Sequence, residues 1–315
     1  MEKRGLGKTG IEVPPLTVGG NVFGWTLDEP ASLGVLDHFT AQGLNFIDTA
    51  NTYSSWVPGN KGGESETIIG NWIKKRGNRN SVIIATKLGS ELNGKKGLRK
   101  EYVIESAHES LKRLQTDYID LYQAHYPDPG TPIGETLEAF EQLQTEGKIR
   151  AYGASNYTPA QLQEALQASH DSGIGGYATL QPLYNLYDRA AFEKELEPIC
   201  REHGIAVINY YALASGFLSG KYRSAEDLSK SKRGQGISKY LNERGLRILQ
   251  ALDKAAEEHS TTPASVALAW LLAKPTVTAP IVSATSPEQI DALVQATTLK
   301  LDQSAVDALD KASAE

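Results

Sequence analysis

Residues 82–87 read Val-Ile-Ile-Ala-Thr-Lys, an apolar run of β-favouring residues that ends on a lysine. Two other stretches share the form: Asn-Phe-Ile-Asp at 45–48, running on into Thr-Ala-Asn-Thr-Tyr, and Tyr-Ile-Asp-Leu-Tyr-Gln-Ala-His at 118–125. A short apolar run with a polar group at or just past its end is the pattern of an inward strand delivering that group to a barrel mouth. Outward from these three, short β-type runs alternate with amphipathic stretches over nearly the whole chain, which predicts a parallel sheet covered by helices. Strands are expected near 16–19, 44–48, 82–87, 119–124, 149–154, 177–181, 205–211 and 278–282. Eight such units close an α/β fold of the (β/α)8 TIM barrel type, and residues 2–13, with a Gly-Lys-Thr-Gly turn, form an N-terminal β-hairpin ahead of it.

Helices are expected over 31–42, 65–76, 100–113, 134–147, 159–169, 190–203 and 287–296, with an extra pair near 239–258 and 263–273. Thr158 before Pro159, and Ser286 before Pro287, are N-cap arrangements that mark two of the starts. Residues 49–64 and 212–238 are too long to be connectors, and long loops at the C-terminal face of a barrel carry function. No repeat, low-complexity tract or linker divides the chain, so residues 1–315 are expected to form one domain.

Composition narrows the function. The charged fraction of 22% and hydrophobic fraction of 40% are those of a folded globular protein with apolar material for one large core. A net charge of −6 without a long basic run argues against nucleic acid or an anionic membrane as the main partner, which leaves a small molecule. The opening MEKRGLGKTG has no apolar signal core and no stretch approaches the length of a membrane span, so a cytoplasmic protein is expected. The single cysteine, Cys200, sits in a helical pattern without an activating base and reads as a buried bystander. The histidines other than His125 lie without ligand-like spacing, and no metal is expected.

Asp48, Tyr53, Lys87 and His125 thus converge on one mouth. Each alone has an ordinary reading: a strand-end cap, a loop aromatic, a solvated lysine, a satisfied imidazole. Together an acid, a phenol, an amine and an imidazole can protonate a carbonyl oxygen while a nucleophile attacks its carbon. A free phenol has a pKa of about 10, and a neighbouring ammonium stabilises the phenolate left after proton donation.

The ordered motifs NFIDTANTY, IATK, DYIDLYQAHYPDP, GKIRAYGASNYTP, LQPLYNLYDR and NYYALASGFLSGKY resemble those of the aldo-keto reductases along almost the whole chain. The resemblance implies a (β/α)8 barrel that binds a nicotinamide nucleotide without a Rossmann fingerprint, and no GxGxxG joins a barrel strand to a helix here. It implies reversible, NAD(P)H-dependent reduction of an aldehyde or ketone, including sugar-like carbonyls, by an oxidoreductase. Tyr53 would give the proton, Lys87 and Asp48 would tune it, and His125 would orient the carbonyl. The same resemblance implies cofactor contacts from Gly19, Gly20, Asn21 and Asp48, and carboxamide contacts from Ser155, Asn156 and Gln181. Tyr210 would stack on the nicotinamide, and a pyrophosphate loop would comprise Leu213, Ser215, Gly216, Leu218, Gly220 and Lys221. Ala284, Thr285 and Gln289 would lie at the adenosine end. That end carries no cation where many relatives have one, and Leu293 stands where an asparagine is common, whereas Lys230, Lys232 and Arg233 lie in the preceding loop. NADPH is the expected cofactor through Arg233, with NADH open. Trp25, Tyr53, Trp56, His125 and Tyr126 would line the substrate side, Tyr126 replacing a tryptophan frequent in relatives. Two other functions stay open: a nucleotide-sensing accessory subunit of a membrane channel, and a Schiff-base lyase using Lys87.

Overall fold

The computed structural model describes residues 1–230 and 234–315. The chain opens with β1 (Arg4–Gly5) and β2 (Glu12–Val13), paired antiparallel as the expected hairpin. The barrel follows as β3 (Thr17–Gly19), α1 (Glu29–Ala41), β4 (Phe46–Asp48), α2 (Glu64–Arg76), β5 (Ile83–Leu88) and α3 (Lys100–Leu114). It continues through β6 (Ile119–Ala124), α4 (Ile133–Thr145), β7 (Ile149–Ser155), α5 (Pro159–Ser172), β8 (Thr179–Gln181), α6 (Glu197–His203) and β9 (Ala206–Val207). After α7 (Glu243–Glu258) and α8 (Pro263–Leu272) come β10 (Ile281–Val282), α9 (Pro287–Gln295) and α10 (Gln303–Ser313).

The eight parallel strands run in the order β10-β3-β4-β5-β6-β7-β8-β9. The ring closes where Ile281 N donates to Asn209 O at 2.9 Å and Thr278 N donates to Val207 O at 2.8 Å. This is the expected (β/α)8 barrel. Strand periodicity of two sorts its interior into layers. Phe46, Ala85, Leu121, Ala151, Ala206, Ile208 and Ala279 form an apolar plug against Leu6, Ile11 and Val13 of the hairpin, which therefore seals the N-terminal end. Two residues further along the same strands come Asp48, Lys87 and Gln123, all buried, so the polar layer lies toward the C-terminal end.

Three expectations differ in extent. The strand expected over 205–211 is regular at Ala206–Val207, and its backbone goes on pairing through Ile208 N to Leu180 O at 3.1 Å and Tyr210 N to Pro182 O at 3.0 Å, until Tyr211 turns off with a left-handed φ of 55°. The helix expected from 190 begins with a π turn at Phe192–Leu196, just ahead of Pro198, which has no N–H for a regular ladder. Residues 239 and 240 belong to a 3-10 turn at Gly234–Tyr240, and α7 starts after Asn242, whose side chain caps Gly245 N. The helix α10 had no sequence expectation. Asp302 caps it, and its Asp310 gathers Arg189 at 2.7 Å, Trp270 Nε1 at 2.9 Å and Lys274 at 3.2 Å, fastening the C-terminal segment to the barrel. No described helix is long and apolar enough to cross a membrane.

Candidate active site

The inward polar layer is built by register. Gly19 pairs with Asp48, Asp48 with Ala85, Lys87 with Gln123, Gln123 with Gly153, and Gly153 with Thr179. Lys87 therefore sits one inward step beyond the Asp48 row and reaches back across it. Its ammonium donates to Asp48 Oδ2 at 2.6 Å, Thr49 O at 2.8 Å and Tyr53 Oη at 3.0 Å. All three N–H groups are thereby used, and Lys87 is fully buried. Burial works against the charged amine, but Asp48 and Tyr53 together hold its pKa above the ordinary lysine value. A lysine so fixed has no lone pair for a carbonyl carbon, which argues against the Schiff-base reading.

Tyr53 reaches this cation from a loop that the structure pins at several points. Ser54 occupies a left-handed φ of 71° and donates from Oγ to Phe23 O at 2.7 Å, while Asn60 Nδ2 donates to Ser54 O at 3.0 Å and Gly24 O at 3.1 Å. Thr49 Oγ1 donates to Ser65 Oγ, which passes the chain on to Gly20 O, tying the loop after β4 to the loop after β3. Burial raises the phenol's pKa above 10, and the Lys87 charge and hydrogen bond lower it only in part. Lys87 thus acts in the expected sense without prevailing, and the resting Tyr53 is a protonated phenol.

His125 follows β6, its N–H bonded to Leu88 O at 2.8 Å and its ring 6.1 Å from that of Tyr53 between centroids. Burial pushes its pKa down to about 3, with the Lys87 charge adding to the effect, so the imidazole is neutral at physiological pH. Tyr126 stacks on it at 5.0 Å. Trp25 and Trp56 meet edge to face at 5.7 Å, and Trp56 lies 6.1 Å from Tyr53, so the expected substrate-side aromatics do gather about the phenol and imidazole. Trp56, Tyr126 and Tyr211 are each about half exposed, and Tyr211 had no sequence expectation.

The expected cofactor residues form two groups. In the first, Asn156 takes a left-handed φ of 61° and donates from Nδ2 to His125 O at 3.0 Å and Ser155 Oγ at 3.1 Å, and accepts from Tyr210 Oη at 2.7 Å. Ser155 Oγ donates to Gln181 O at 2.8 Å, and Gln181 Nε2 donates to Asp48 Oδ1 at 2.9 Å. Because a carboxylate only accepts, Asp48 fixes the Gln181 amide with its nitrogen inward. Gln181 Oε1 takes no hydrogen bond from a described residue. Burial raises the Tyr210 phenol to about 12, so it remains a donor.

The second group lies at the seam between β10 and β3. Ser283 Oγ donates to Gly19 O at 3.0 Å and Asn21 Oδ1 at 2.8 Å, and Thr285 N and Oγ1 both donate to Gln289 Oε1 at the start of α9. Ala284 is buried. Between the groups runs the loop after β9, where Ala214, Ser215 and Gly216 adopt φ of 47°, 59° and 98°, a succession that glycine at 216 eases. Leu213 O accepts from Gly216 N and Leu218 N, and the Leu218 side chain lies in the core, so neither its side chain nor its N–H is free for phosphate. Gly220 turns the chain at φ 81° and Lys221 is exposed. Lys230 is held by Asp227 at 2.6 Å and by Lys221 O at 3.1 Å. Arg233 and Lys232 lie outside the described residues.

Sequence reading missed Gln123 and Ser90. Gln123 is fully buried and donates to Asp48 Oδ1 at 3.4 Å, and Thr179 Oγ1 reaches its Oε1 at 3.5 Å. Its signal was a polar residue at the inward parity of β6, in line with Leu121. Ser90 Oγ stands 3.1 Å from His125 Nδ1. Cys200 is buried, and burial lifts its thiol to about 12, consistent with an inert role.

A profile of the aldo/keto reductase family matches residues 15–314, and the chain belongs to that family. It is 35% identical over 312 residues to a Bacillus subtilis protein described as uncharacterized oxidoreductase YrpG, covering 96% of this chain and 93% of that one. It is 34% identical over 309 residues to aldo-keto reductase YhdN of the same organism, covering 94% and 89% of the two chains. A probable voltage-gated potassium channel subunit beta of Arabidopsis thaliana is 34% identical over 299 residues, covering 92% and 89%. Family membership supports nicotinamide-dependent oxidoreductase chemistry on small carbonyl compounds.

Proposed function

We propose that this protein reversibly reduces an aldehyde or ketone to the alcohol, with NADPH as the preferred nucleotide. The observation that carries the reading is the Lys87 ammonium bonded at once to Asp48 and Tyr53, beside a neutral His125. The nicotinamide, when bound, supplies a hydride to the carbonyl carbon. As negative charge grows on the carbonyl oxygen, Tyr53 Oη releases its proton there, and the phenolate left behind is met by Lys87 at hydrogen-bond distance. Asp48 keeps Lys87 charged through that change, and its second oxygen, held by Gln181 and Gln123, keeps the carboxylate from rotating. A neutral His125 donates a hydrogen bond to the same oxygen and fixes the angle of the carbonyl.

Ser155, Asn156, Gln181 and Tyr210 are the residues we assign to the nicotinamide end, on the strength of the unoccupied Gln181 acceptor and the locked Asn156 amide. Gly19, Gly20, Asn21, Ala284, Thr285 and Gln289 are assigned to the rest of the nucleotide, and the loop from Leu213 through Lys221 to the pyrophosphate. The NADPH preference rests on the presence of Lys232 and Arg233 in the sequence of the loop over 212–238. Trp25, Trp56 and Tyr126 favour apolar or sugar-like carbonyls, whose flat or ring faces they can cover. We place the protein in the cytoplasm.

The test is an absorbance assay at the nicotinamide band against aldehydes, ketones and sugars, with NADPH and NADH in parallel and Tyr53→Phe as the control. Turnover should fall by about 100-fold or more in the variant, the scale of a lost general acid, with nucleotide affinity unchanged. Equal turnover in the two proteins would remove Tyr53 from the reaction. The likeness to a channel beta subunit favours a second reading, nucleotide sensing, whose signature in the same assay is tight nucleotide binding with no turnover on any member of the panel.

A further inference from the structure

We infer that Ser90 is a positioning residue that sets the tautomer of His125, its hydroxyl donating to Nδ1 so that Nε2 carries the proton presented to the carbonyl oxygen. The inference rests on the function proposed above for the choice of tautomer, and on the geometry for the pairing of Ser90 with Nδ1.

Ser90 Oγ lies 3.1 Å from His125 Nδ1, and this is the one hydrogen bond that either side chain's polar atoms make among the described residues. Nε2 has no protein partner there, so whatever it donates to or accepts from arrives from the crevice. Neighbours hold the ring in place: Tyr126 stacks on one face at 5.0 Å, Tyr53 stands at 6.1 Å, and Leu88 O and the Asn156 amide hold the His125 backbone. A neutral imidazole has one N–H and one bare nitrogen, and the partner of the first nitrogen selects the role of the second.

Two arrangements satisfy the 3.1 Å contact. If Nδ1–H donated to Ser90 Oγ, Nε2 would be bare and would meet a carbonyl oxygen lone pair to lone pair, close to the point where negative charge develops. If Ser90 donates, Nε2–H points into the crevice and stabilises that charge together with Tyr53. A serine hydroxyl can donate or accept, and with no other acceptor in reach its proton is free to go to Nδ1. Protonating both nitrogens would satisfy either geometry, but the buried ring beside Lys87 is held neutral. The tautomer is therefore the one variable left, and Ser90 is the group placed to decide it.

The sequence offers the same pairing by topology. Ser90 lies just past β5, two residues after Leu88, whose carbonyl takes the His125 N–H. The β5–β6 register that places Lys87 opposite Gln123 thus also carries Ser90 alongside His125. One strand pair supplies both the cation that assists Tyr53 and the hydroxyl that orients the imidazole.

The experiment is nitrogen-15 NMR of the histidine-labelled protein without substrate, in the native form and in Ser90→Ala and Ser90→Thr, with steady-state kinetics on each. In the native protein His125 should show a bare Nδ1 and a protonated Nε2. Ser90→Ala should give a mixture of tautomers and a fall in kcat of about tenfold, the effect of one well-placed hydrogen bond, with KM for nucleotide unchanged. Ser90→Thr, which keeps the hydroxyl, should restore both. A native spectrum with the proton on Nδ1 overturns the inference, even if Ser90→Ala fails to fold. So does an alanine variant whose tautomer and kcat are those of the native protein. Failure of Tyr53→Phe to slow turnover would refute the proposed reaction while leaving the spectral result standing, so the two claims fail separately.

Discussion

Removing the negative charge at Asp48 should leave the buried Lys87 ammonium without its carboxylate partner. In Asp48→Asn the Lys87 ammonium keeps hydrogen-bond acceptors but loses the carboxylate at 2.6 Å, in a site where both groups are almost completely buried. Breaking one side of a buried ion pair costs about 3–5 kcal/mol, since the surviving charge stays desolvated. The pH dependence gives the sharper signature. In the native protein the Lys87 pKa is raised above its unfolded value of 10.5, so its contribution is fully present below that value and is lost only as pH rises through the folded pKa. Across neutral pH the native protein should therefore show no slope from this group. Without Asp48, burial, the largest influence on Lys87, acts with much less opposition and pulls the folded pKa below 10.5. The folded state then binds the proton less well than the unfolded chain, and stability should climb as pH rises, by up to about 1.4 kcal/mol for each unit of displacement. Urea unfolding followed by the fluorescence of the four tryptophans, at about pH 7 and at about pH 10.5, the unfolded lysine value, reads both effects. A variant within about 1 kcal/mol of the native protein, with equal stability at the two pH values, would refute the view that Lys87 is held charged by Asp48.

Two further outcomes follow from the same layer. Because His125 is driven to about 3, the profile of kcat against pH should show no limb near the ordinary histidine value of 6.5, and an inflection there would show that the imidazole is not kept neutral. Gly153→Ala places a methyl 2.0 Å from Thr179 Oγ1, on the line by which Thr179 reaches Gln123, and should cost about 1–3 kcal/mol in thermal unfolding together with activity; an unchanged Tm would mean that the strands there are loosely packed.

How far the site was legible follows from where each residue stands. Asp48, Lys87 and His125 could be found because an inward strand announces itself by an apolar run, and the last inward position is where a polar residue has no reason to be unless the mouth uses it. Tyr53 could be placed near the mouth by its closeness to Asp48 in sequence, but not its reach to Lys87, which depends on Ser54 and Asn60 folding the loop back on Phe23 and Gly24. Gln123 and Ser90 escaped because their importance lies in what they touch across the sheet, and spacing along one strand does not encode a contact to its neighbour. The C-terminal helix α10 was readable in principle, with Asp302 as cap and Ala305, Leu309 and Ala312 buried on one face, but small residues make that stripe faint. The strand over 205–211 was legible through Tyr210, whose N–H still bonds to Pro182 O, but not its end, which is the left-handed φ of 55° at Tyr211. For the nucleotide, uncharged Thr285 and Gln289 bond each other at the start of α9, and Lys230 of the loop over 212–238 is paired with Asp227.

The central claim is a hydride delivered to carbon while Tyr53 delivers a proton to oxygen. A single-turnover reaction with nicotinamide nucleotide deuterated at the transferring carbon, in native protein and in Tyr53→Phe, tests it most directly. Native protein should place one deuterium on the former carbonyl carbon of the alcohol, and the variant should bind the nucleotide equally well yet leave the carbonyl unreduced on the same timescale. Product without deuterium at that carbon, or deuterium transfer in the variant at the native rate, would contradict the account.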